Sequence, residues 1–202
     1  MSRWKGRSWR GAVLAAWTCL TLAASAQERF DERVDKLLRL GHDQPDAALA
    51  ELRTLEPPPG DIGAQRLLLL ARGMVLAQSG RDSEAQGWAG ALRTHARTQR
   101  DAQAEAAAEL VKALGAHNAG RLDVAAGLAR GARDGLQPYC PPLSEQAVNG
   151  MRSTAVAEPA GLPETPVRCD HRAAWSALLL LQHHAIDTGD WVGATQHARL
   201  AR

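Results

Sequence analysis

Apolar residues recur along most of the chain with the spacing of an α-helix, and glycines interrupt this pattern at regular intervals. Gly41, Gly80 and Gly120 are 39 and 40 residues apart, and Gly189 follows 69 residues after Gly120. Each glycine ends an Ala- and Leu-rich stretch, and another helical stretch begins within a few residues. Because glycine closes a helix by adopting the left-handed conformation, the pattern predicts repeated pairs of antiparallel helices.

The pattern predicts four such αα-hairpins. Residues 27–134 contain the first three, residues 135–167 form a Pro-rich insert loop, and residues 168–202 contain a fourth, incomplete hairpin. Pro45 suits the first turn of a helix, and Asp170 suits an N-cap. The predicted helices cover about residues 28–40, 45–55, 61–79, 81–97, 100–119, 121–134, 170–188 and 190–202.

Small and apolar residues recur at matching points of these pairs. Alanine follows the glycine by five residues in three of them, at Ala85, Ala125 and Ala194. Small side chains at such points let two helices approach closely. Two runs of four leucines, Leu67–Leu70 and Leu178–Leu181, cover every face of their helices. We therefore expect an all-α stack in which these helices are buried on more than one side.

The spacing of small residue, glycine and alanine resembles the tetratricopeptide-repeat family over about 130 residues. The sequence departs from that family in its period, which is near 40 instead of 34, and in lacking the usual aromatic residues of the first helix except Trp175. A generic α-solenoid is the alternative. The resemblance implies a short stack of αα-hairpins that binds extended peptides along the first helix of each pair.

The resemblance also implies which side chains would line a peptide-binding groove. Counting back from each hairpin glycine gives an apolar floor with a polar rim, formed by Met74, Gln78, Leu114, His117, Asn118, His183 and Asp187. The Lys/Asn/Arg set that grips a peptide carboxylate in some members of the family is absent. The alternative is that several of these residues pack against the neighbouring repeat.

A second, narrower resemblance covers the stretch from Arg168 to Gly189, which begins Arg168-Cys169-Asp170-His171. It resembles the exported repeat region that precedes a membrane helix and a GGDEF domain in some bacterial diguanylate cyclases. No Gly-Gly-Asp/Glu-Glu-Phe string occurs in this sequence, and no apolar segment after Gly189 is long enough to span a membrane. The resemblance therefore implies a sensing or binding role without cyclase activity.

The first 26 residues have the layout of a secretory signal peptide. Four basic residues precede an uncharged apolar run of about 14 residues, which ends in the small-x-small pattern Ala24-Ser25-Ala26. Cleavage before Gln27 and a periplasmic location are expected, with an uncleaved N-terminal anchor as the alternative. Cleavage changes the net charge from +2 to −2, because the leader contains four basic residues and no acidic one. No basic stripe for nucleic acid remains.

Two cysteines, Cys140 and Cys169, remain after cleavage. They flank the Pro-rich insert, and oxidising compartments favour pairing of an even number of cysteines. The sequence predicts a disulfide between them, with two separate free thiols as the alternative. A redox-active pair is not expected, because no Cys-x-x-Cys motif occurs.

No pattern in the sequence predicts catalysis, a cofactor or a metal site. His183 and His184 are adjacent and diverge by about 100° on a helix, and neither His-x-x-x-His nor His-Glu-x-x-His occurs. Cys169, Asp170 and His171 are consecutive, which is poor spacing for zinc ligands. Glu105 and Glu109 lie one helical turn apart, as expected of a solvated helix face.

The sequence therefore predicts an exported, non-enzymatic helical-repeat module that binds a protein or peptide as the sensory part of a signalling protein. The alternative is a structural scaffold without a ligand groove. The last helix, from Asp190, is short and lacks a polar capping face. We expect this end to make the chain marginally stable or self-associating, and a longer natural product to cover it.

Overall fold

The computed structural model describes residues 29–140 and 169–200. The predicted signal peptide (1–26), most of the predicted insert (135–167) and the last two residues lie outside the described residues. Within them the chain forms eight helices and no strand, which confirms the all-α prediction. The helices are α1 (29–43), α2 (Pro45–Thr54), α3 (Ile62–Gln78), α4 (Asp82–Gln99), α5 (Ala102–Asn118), α6 (Leu122–Leu136), α7 (His171–Asp187) and α8 (Trp191–Leu200).

The helices form four hairpin units, α1–α2, α3–α4, α5–α6 and α7–α8, which we number 1 to 4. The first helices of units 2, 3 and 4 each begin with an aspartate N-cap. Asp61 accepts a hydrogen bond from the Ala64 N–H at 2.8 Å. Asp101 accepts from Gln103 and Asp170 accepts from Ala173, both at 3.1 Å. The predicted N-cap at Asp170 is confirmed.

The turns inside these three units are built alike. Gly80, Gly120 and Gly189 have φ values of 75°, 72° and 75°, in the left-handed region that favours glycine. In each turn the N–H of the next residue bonds back to a carbonyl in the last helical turn; Arg81, for example, donates to the Leu76 oxygen at 2.9 Å. These bonds satisfy carbonyl groups that a helix end leaves unpaired. The second helix of each unit therefore starts in the same register relative to the first.

The units stack in sequence. Each of the helices from α2 to α7 contacts the next along the chain, and α5 also contacts both α3 and α7. The two leucine runs supply much of the interior, since Leu70 is 1 % exposed and Leu181 is 2 % exposed. Ala85, Ala125 and Ala194 are all buried, as expected of small residues where two helices approach closely.

Glycine permits the closest approach between units. A Cβ atom at Gly73 on α3 would lie 2.8 Å from Val111 Cγ2 on α5. A Cβ atom at Gly41, in unit 1, would lie 2.7 Å from Val75 Cγ2 on α3. Both distances are shorter than carbon atoms tolerate, so a Cβ atom at either position would force the packed valine or the helices to shift.

Polar side chains tie unit 1 to the rest of the stack. Arg72 on α3 donates to the Leu52 carbonyl of α2 from Nε at 3.1 Å and from Nη2 at 2.7 Å. Its guanidinium also lies 5.0 Å from the ring centroid of Trp88 on α4. Burial, with a smaller contribution from Arg53, lowers the pKa of Arg72. The same side chain therefore joins α2, α3 and α4.

Candidate functional site

The polar groove residues predicted from the sequence lie at the C-terminal ends of α3, α5 and α7. These residues are Gln78, His117, Asn118, His183 and Asp187, which we call the C-terminal rim. Because the three helices end in the same type of glycine turn, equivalent side chains project in the same register. The rim thus crosses three successive units.

Two contacts show that the rim residues are neighbours. Asn118 Nδ2 on α5 donates to the Ala77 carbonyl near the end of α3 at 2.7 Å. The rings of His117 on α5 and His183 on α7 have centroids 6.2 Å apart and are inclined by 31°. The ends of the three first helices therefore form one continuous edge.

One rim group has no partner within the described residues. The Gln78 side-chain oxygen is buried and accepts no hydrogen bond there. A buried acceptor without a donor costs free energy, so this atom favours a ligand or water that supplies an N–H or O–H group. Asn118, His183 and Asp187 are exposed and accessible to the same ligand.

The apolar floor predicted for the groove lies inside the stack. Met74 is 6 % exposed and Leu114 is 9 % exposed, and both belong to the buried core. In a stack whose first helices contact one another, this helix face packs against neighbouring helices. Of the seven predicted groove residues, the five of the rim retain accessible or partly accessible side chains.

The opposite ends of the first helices meet in a buried charged cluster that the sequence analysis did not predict. Arg66 on α3 contacts the N-cap aspartates of the next two units. Its Nη1 lies 2.6 Å from Asp101 Oδ2, and its Nε lies 3.4 Å from Asp170 Oδ2. Each of the three side chains is at most 7 % exposed. The signal in the sequence is a lone arginine directly before the first run of leucines.

Neighbouring groups extend this cluster. Gln103, which is fully buried, accepts a hydrogen bond from the Asp170 N–H at 2.8 Å. His95 Nε2 on α4 lies 3.7 Å from Asp101 Oδ2. Next to it, Arg172 donates to Asp35 on α1, and this hydrogen bond raises the pKa of Arg172. The N-terminal ends of α3, α5 and α7 therefore converge on one polar network. Beside it, the Arg172–Asp35 pair joins α7 to α1.

The predicted disulfide is present. Cys140 and Cys169 are bonded, with their Cα atoms 4.9 Å apart. Cys140 follows the end of α6, and Cys169 directly precedes Asp170, the N-cap of α7. The bond therefore fixes the start of unit 4 against the end of unit 3 and closes the chain segment between them.

A cleft of about 230 Å³ lies on another side of the stack, between α4, α5 and α6. The Asp82 Oδ1 atom at this cleft is buried and has no hydrogen-bond partner among the described residues. The cleft has both apolar and charged lining residues, which include Ala85, Val111, Lys112, Arg121, Val124 and Leu128.

The paired carboxylates Glu105 and Glu109 lie apart from the rim. Glu105 and Glu109 both pair with Arg93 of α4, and Glu105 Oε1 lies 3.0 Å from Arg93 Nε. They form a partly exposed ion-pair group. In the described part of the chain, no three His, Cys, Asp or Glu side chains are placed to share a metal ion. No helix in residues 29–140 or 169–200 has the length and apolarity to cross a membrane.

Comparison with protein-family models, with curated proteins and with solved structures finds no match for this chain. The description of its architecture therefore rests on its own helices, turns and contacts. On these, the chain is an all-α stack of αα-hairpin units.

Proposed function

We propose that this chain is an exported, non-enzymatic helical-repeat module that binds a protein or peptide at the C-terminal rim. The observation that carries the proposal is the polar edge that crosses three units, in which Asn118 bonds to the Ala77 carbonyl and His117 lies against His183. The rim offers amide and imidazole groups and one carboxylate, which suit the N–H and C=O groups of an extended polypeptide.

The repeat geometry supports a tetratricopeptide-like mode of binding. Small residues and glycine turns recur at equivalent points of the units, as the sequence resemblance implies. We further propose that the module senses its ligand on behalf of a signalling protein. This part rests on the resemblance of residues 168–189 to the exported regions of diguanylate cyclases.

A structural scaffold without a ligand groove is the second candidate. The burial of Met74 and Leu114 favours it, because the floor on which a peptide would rest is occupied by core packing. The two candidates differ in whether the polar rim has a ligand.

The rim can be tested with peptides selected from a random displayed library against the folded chain. We expect the His183→Glu and Asp187→Arg variants to weaken binding of a selected peptide at least 10-fold by fluorescence anisotropy. Asp123→Arg, a charge reversal at an exposed site on α6, serves as the matched control and should bind as the wild type does. Selected peptides that bind all three variants equally would contradict the rim as the binding site, and failure to select any peptide would support the scaffold.

Export has a separate test. The chain expressed in a Gram-negative host should be recovered from the periplasmic fraction with Gln27 as its first residue, by N-terminal sequencing. Protein retained in the cytosol with Met1 intact would contradict export without bearing on the rim.

A further inference from the structure

The cleft between α4, α5 and α6 differs from the corresponding place one unit earlier in the stack. Gly80 and Gly120 are 40 residues apart, so residues of α5 and α6 match the residues 40 positions before them in α3 and α4. Arg121 precedes α6 and lines the cleft, and its match is Arg81, which precedes α4. The surroundings of the two arginines can therefore be compared directly.

Arg81 receives its carboxylates from the chain itself. Its Nε lies 2.7 Å from Glu84 Oε1, three residues further along the chain. Its Nη1 lies 3.0 Å from Asp46 Oδ1, 35 residues earlier. The arginine of unit 2 is thus paired twice within the described structure.

Arg121 lacks both of these carboxylates. The residue three positions after it is Val124, and the residue 35 positions before it is Gln86. Both line the cleft, and neither carries a negative charge. The Arg121 side chain is exposed and forms no ion pair with any carboxylate of the described chain. Its guanidinium is therefore available to an anion from outside the chain.

Smaller side chains leave space next to this arginine. Three residues that line the cleft are smaller than their matches in unit 2: Gly115 for Val75, Ala116 for Leu76 and Leu128 for Trp88. In unit 2, Val75 and Leu76 are at most 2 % exposed, and Trp88 packs against the core. The missing side-chain atoms leave a cleft of about 230 Å³ in unit 3.

The wall of the cleft also contains an acceptor without a donor. The Asp82 Oδ1 atom is buried and has no hydrogen-bond partner within the described residues. It lies 3.2 Å from the place that a Cβ atom on Gly115 would occupy, so the glycine leaves room for this carboxylate. Because a buried acceptor without a donor costs free energy, Asp82 Oδ1 favours a ligand that supplies an N–H group.

Lys112 adds a second positive charge to the cleft. Its Nζ lies 3.5 Å from Glu109 Oε1, one helical turn away on α5. In unit 2 the matching cation, Arg72, is instead held by the Leu52 carbonyl. The cleft thus combines two cations, one unpaired carboxylate oxygen and an apolar wall.

We propose that this cleft binds an apolar α-amino acid. The carboxylate of the ligand pairs with Arg121, as the chain's own carboxylates pair with Arg81 in unit 2. Its ammonium group donates to Asp82 Oδ1, and its aliphatic side chain contacts Val111 and Leu128. The volume is below the range of about 300–1,000 Å³ that is typical of pockets for drug-sized ligands, which suits a molecule as small as an amino acid. This site is independent of the rim, because no rim residue lines it.

Isothermal titration of the oxidised chain with L-leucine tests the site. We expect saturable binding with a dissociation constant below about 1 mM, and Arg121→Gln should weaken it at least 10-fold. Arg81→Gln is the matched control, because it removes the same charge from the position where the chain supplies the carboxylates. It should bind leucine as the wild type does, and equal weakening by both variants would overturn the proposal.

A second variant supplies the missing carboxylate and removes no cation. Val124→Glu places an acidic side chain where unit 2 has Glu84 and should abolish leucine binding. Residue 124 is 51 % exposed, so the helices should remain intact by circular dichroism. Leucine affinity equal to that of the wild type in this folded variant would contradict the role of Arg121.

Two leucine derivatives test the two polar contacts of the ligand. L-Leucinamide lacks the carboxylate and N-acetyl-L-leucine lacks the ammonium group, and each should bind at least 10-fold more weakly than L-leucine. Leucinamide bound as tightly as leucine would contradict the pairing with Arg121. N-acetyl-leucine bound as tightly would contradict the ammonium contact with Asp82 and point to the C-terminal residue of a peptide as the ligand. No saturable binding of leucine would overturn the proposal outright.

Discussion

Some glycines inside helices are tightly packed and others face open space, and alanine substitution should affect stability differently at the two kinds of position. A Cβ atom at Gly73 would meet the buried Val111, whereas nothing lies within 4 Å of a Cβ atom at Gly90 on α4. Overpacking costs about 1–3 kcal/mol, while replacing glycine by alanine inside a helix contributes up to about 1 kcal/mol. We expect Gly73→Ala to lower the free energy of unfolding by about 1 kcal/mol in urea titrations, and Gly90→Ala to raise it by a similar amount. Equal stability of the two variants would contradict the close seam between α3 and α5.

Arg66 and Arg81 each pair with two carboxylates, but Arg66 is buried and Arg81 is partly exposed. This difference predicts how much each arginine contributes to the free energy of unfolding. Arg66→Met leaves the buried Asp101 and Asp170 without their cation, which should cost about 3–5 kcal/mol. Arg81→Met removes a partner from the exposed Glu84 and Asp46 and should leave the free energy of unfolding nearly unchanged, because solvent screens exposed ion pairs. Thermal and urea unfolding of both variants measures the contrast. Similar small losses would show that the Arg66 cluster is solvated.

At the residue scale, the sequence predicts those contacts whose two partners are close together along the chain. Asp170 could be predicted as an N-cap because its partner, Ala173, is three residues away. The Arg66 cluster could not be predicted, because its partners lie 35 and 104 residues along the chain. Only the stacking of the units brings these charges together.

Among the elements, α7 depends on the disulfide at its start. In the chain-entropy model, closing a loop of 29 residues contributes about 3–4 kcal/mol to stability. We expect the Cys140→Ser/Cys169→Ser variant to lose about that much and to exchange amide hydrogens faster in α7 and α8 than in α3. Uniformly faster exchange along the described chain would indicate that unit 4 does not open separately.

The last helix, α8, links stability to pH. Burial, and next the nearby Arg133, lowers the pKa of His197. An unfolded chain has a histidine pKa of about 6.5 and so binds more protons than the folded chain between that value and the lowered one. The free energy of unfolding should therefore rise with pH through this interval and level off above about pH 7.

Replacing the histidine tests this linkage. His197→Gln should flatten the rise of thermal stability with pH that the wild type shows below about pH 7. His42→Gln, at an exposed position near the end of α1, controls for the loss of an imidazole and should keep the wild-type slope. An unchanged slope in His197→Gln would mean that the ring is solvated in the folded state.

The helices were predictable from sequence, and the packing of the groove floor was not. Period and glycine turns identify the pairs of units 2, 3 and 4, because a helix and its turn are local structures. The predicted turn at Gly41 is wrong, since Gly41 lies inside α1 without a left-handed conformation. Whether Met74 and Leu114 face a groove or the core depends on how closely successive first helices approach. That distance is set by pairs such as Gly73 and Val111, which lie in different units.

At the scale of the whole molecule, the two ends of the first helices have different chemistry. The N-terminal ends converge on the buried Arg66 cluster, which holds units 2, 3 and 4 together. The C-terminal ends present the polar rim, with the unpartnered Gln78 oxygen beside it. We propose that the first end stabilises the stack and that the second end binds a ligand.

Hydrogen–deuterium exchange of the oxidised chain, with and without a selected peptide, tests the proposed binding role most directly. Binding at the rim predicts slower exchange in three separate segments, residues 74–81, 114–121 and 183–190, with little change at the N-terminal ends of the same helices. Protection confined to the cleft between α4 and α6, or no local protection at a saturating peptide concentration, would contradict the rim as the binding site.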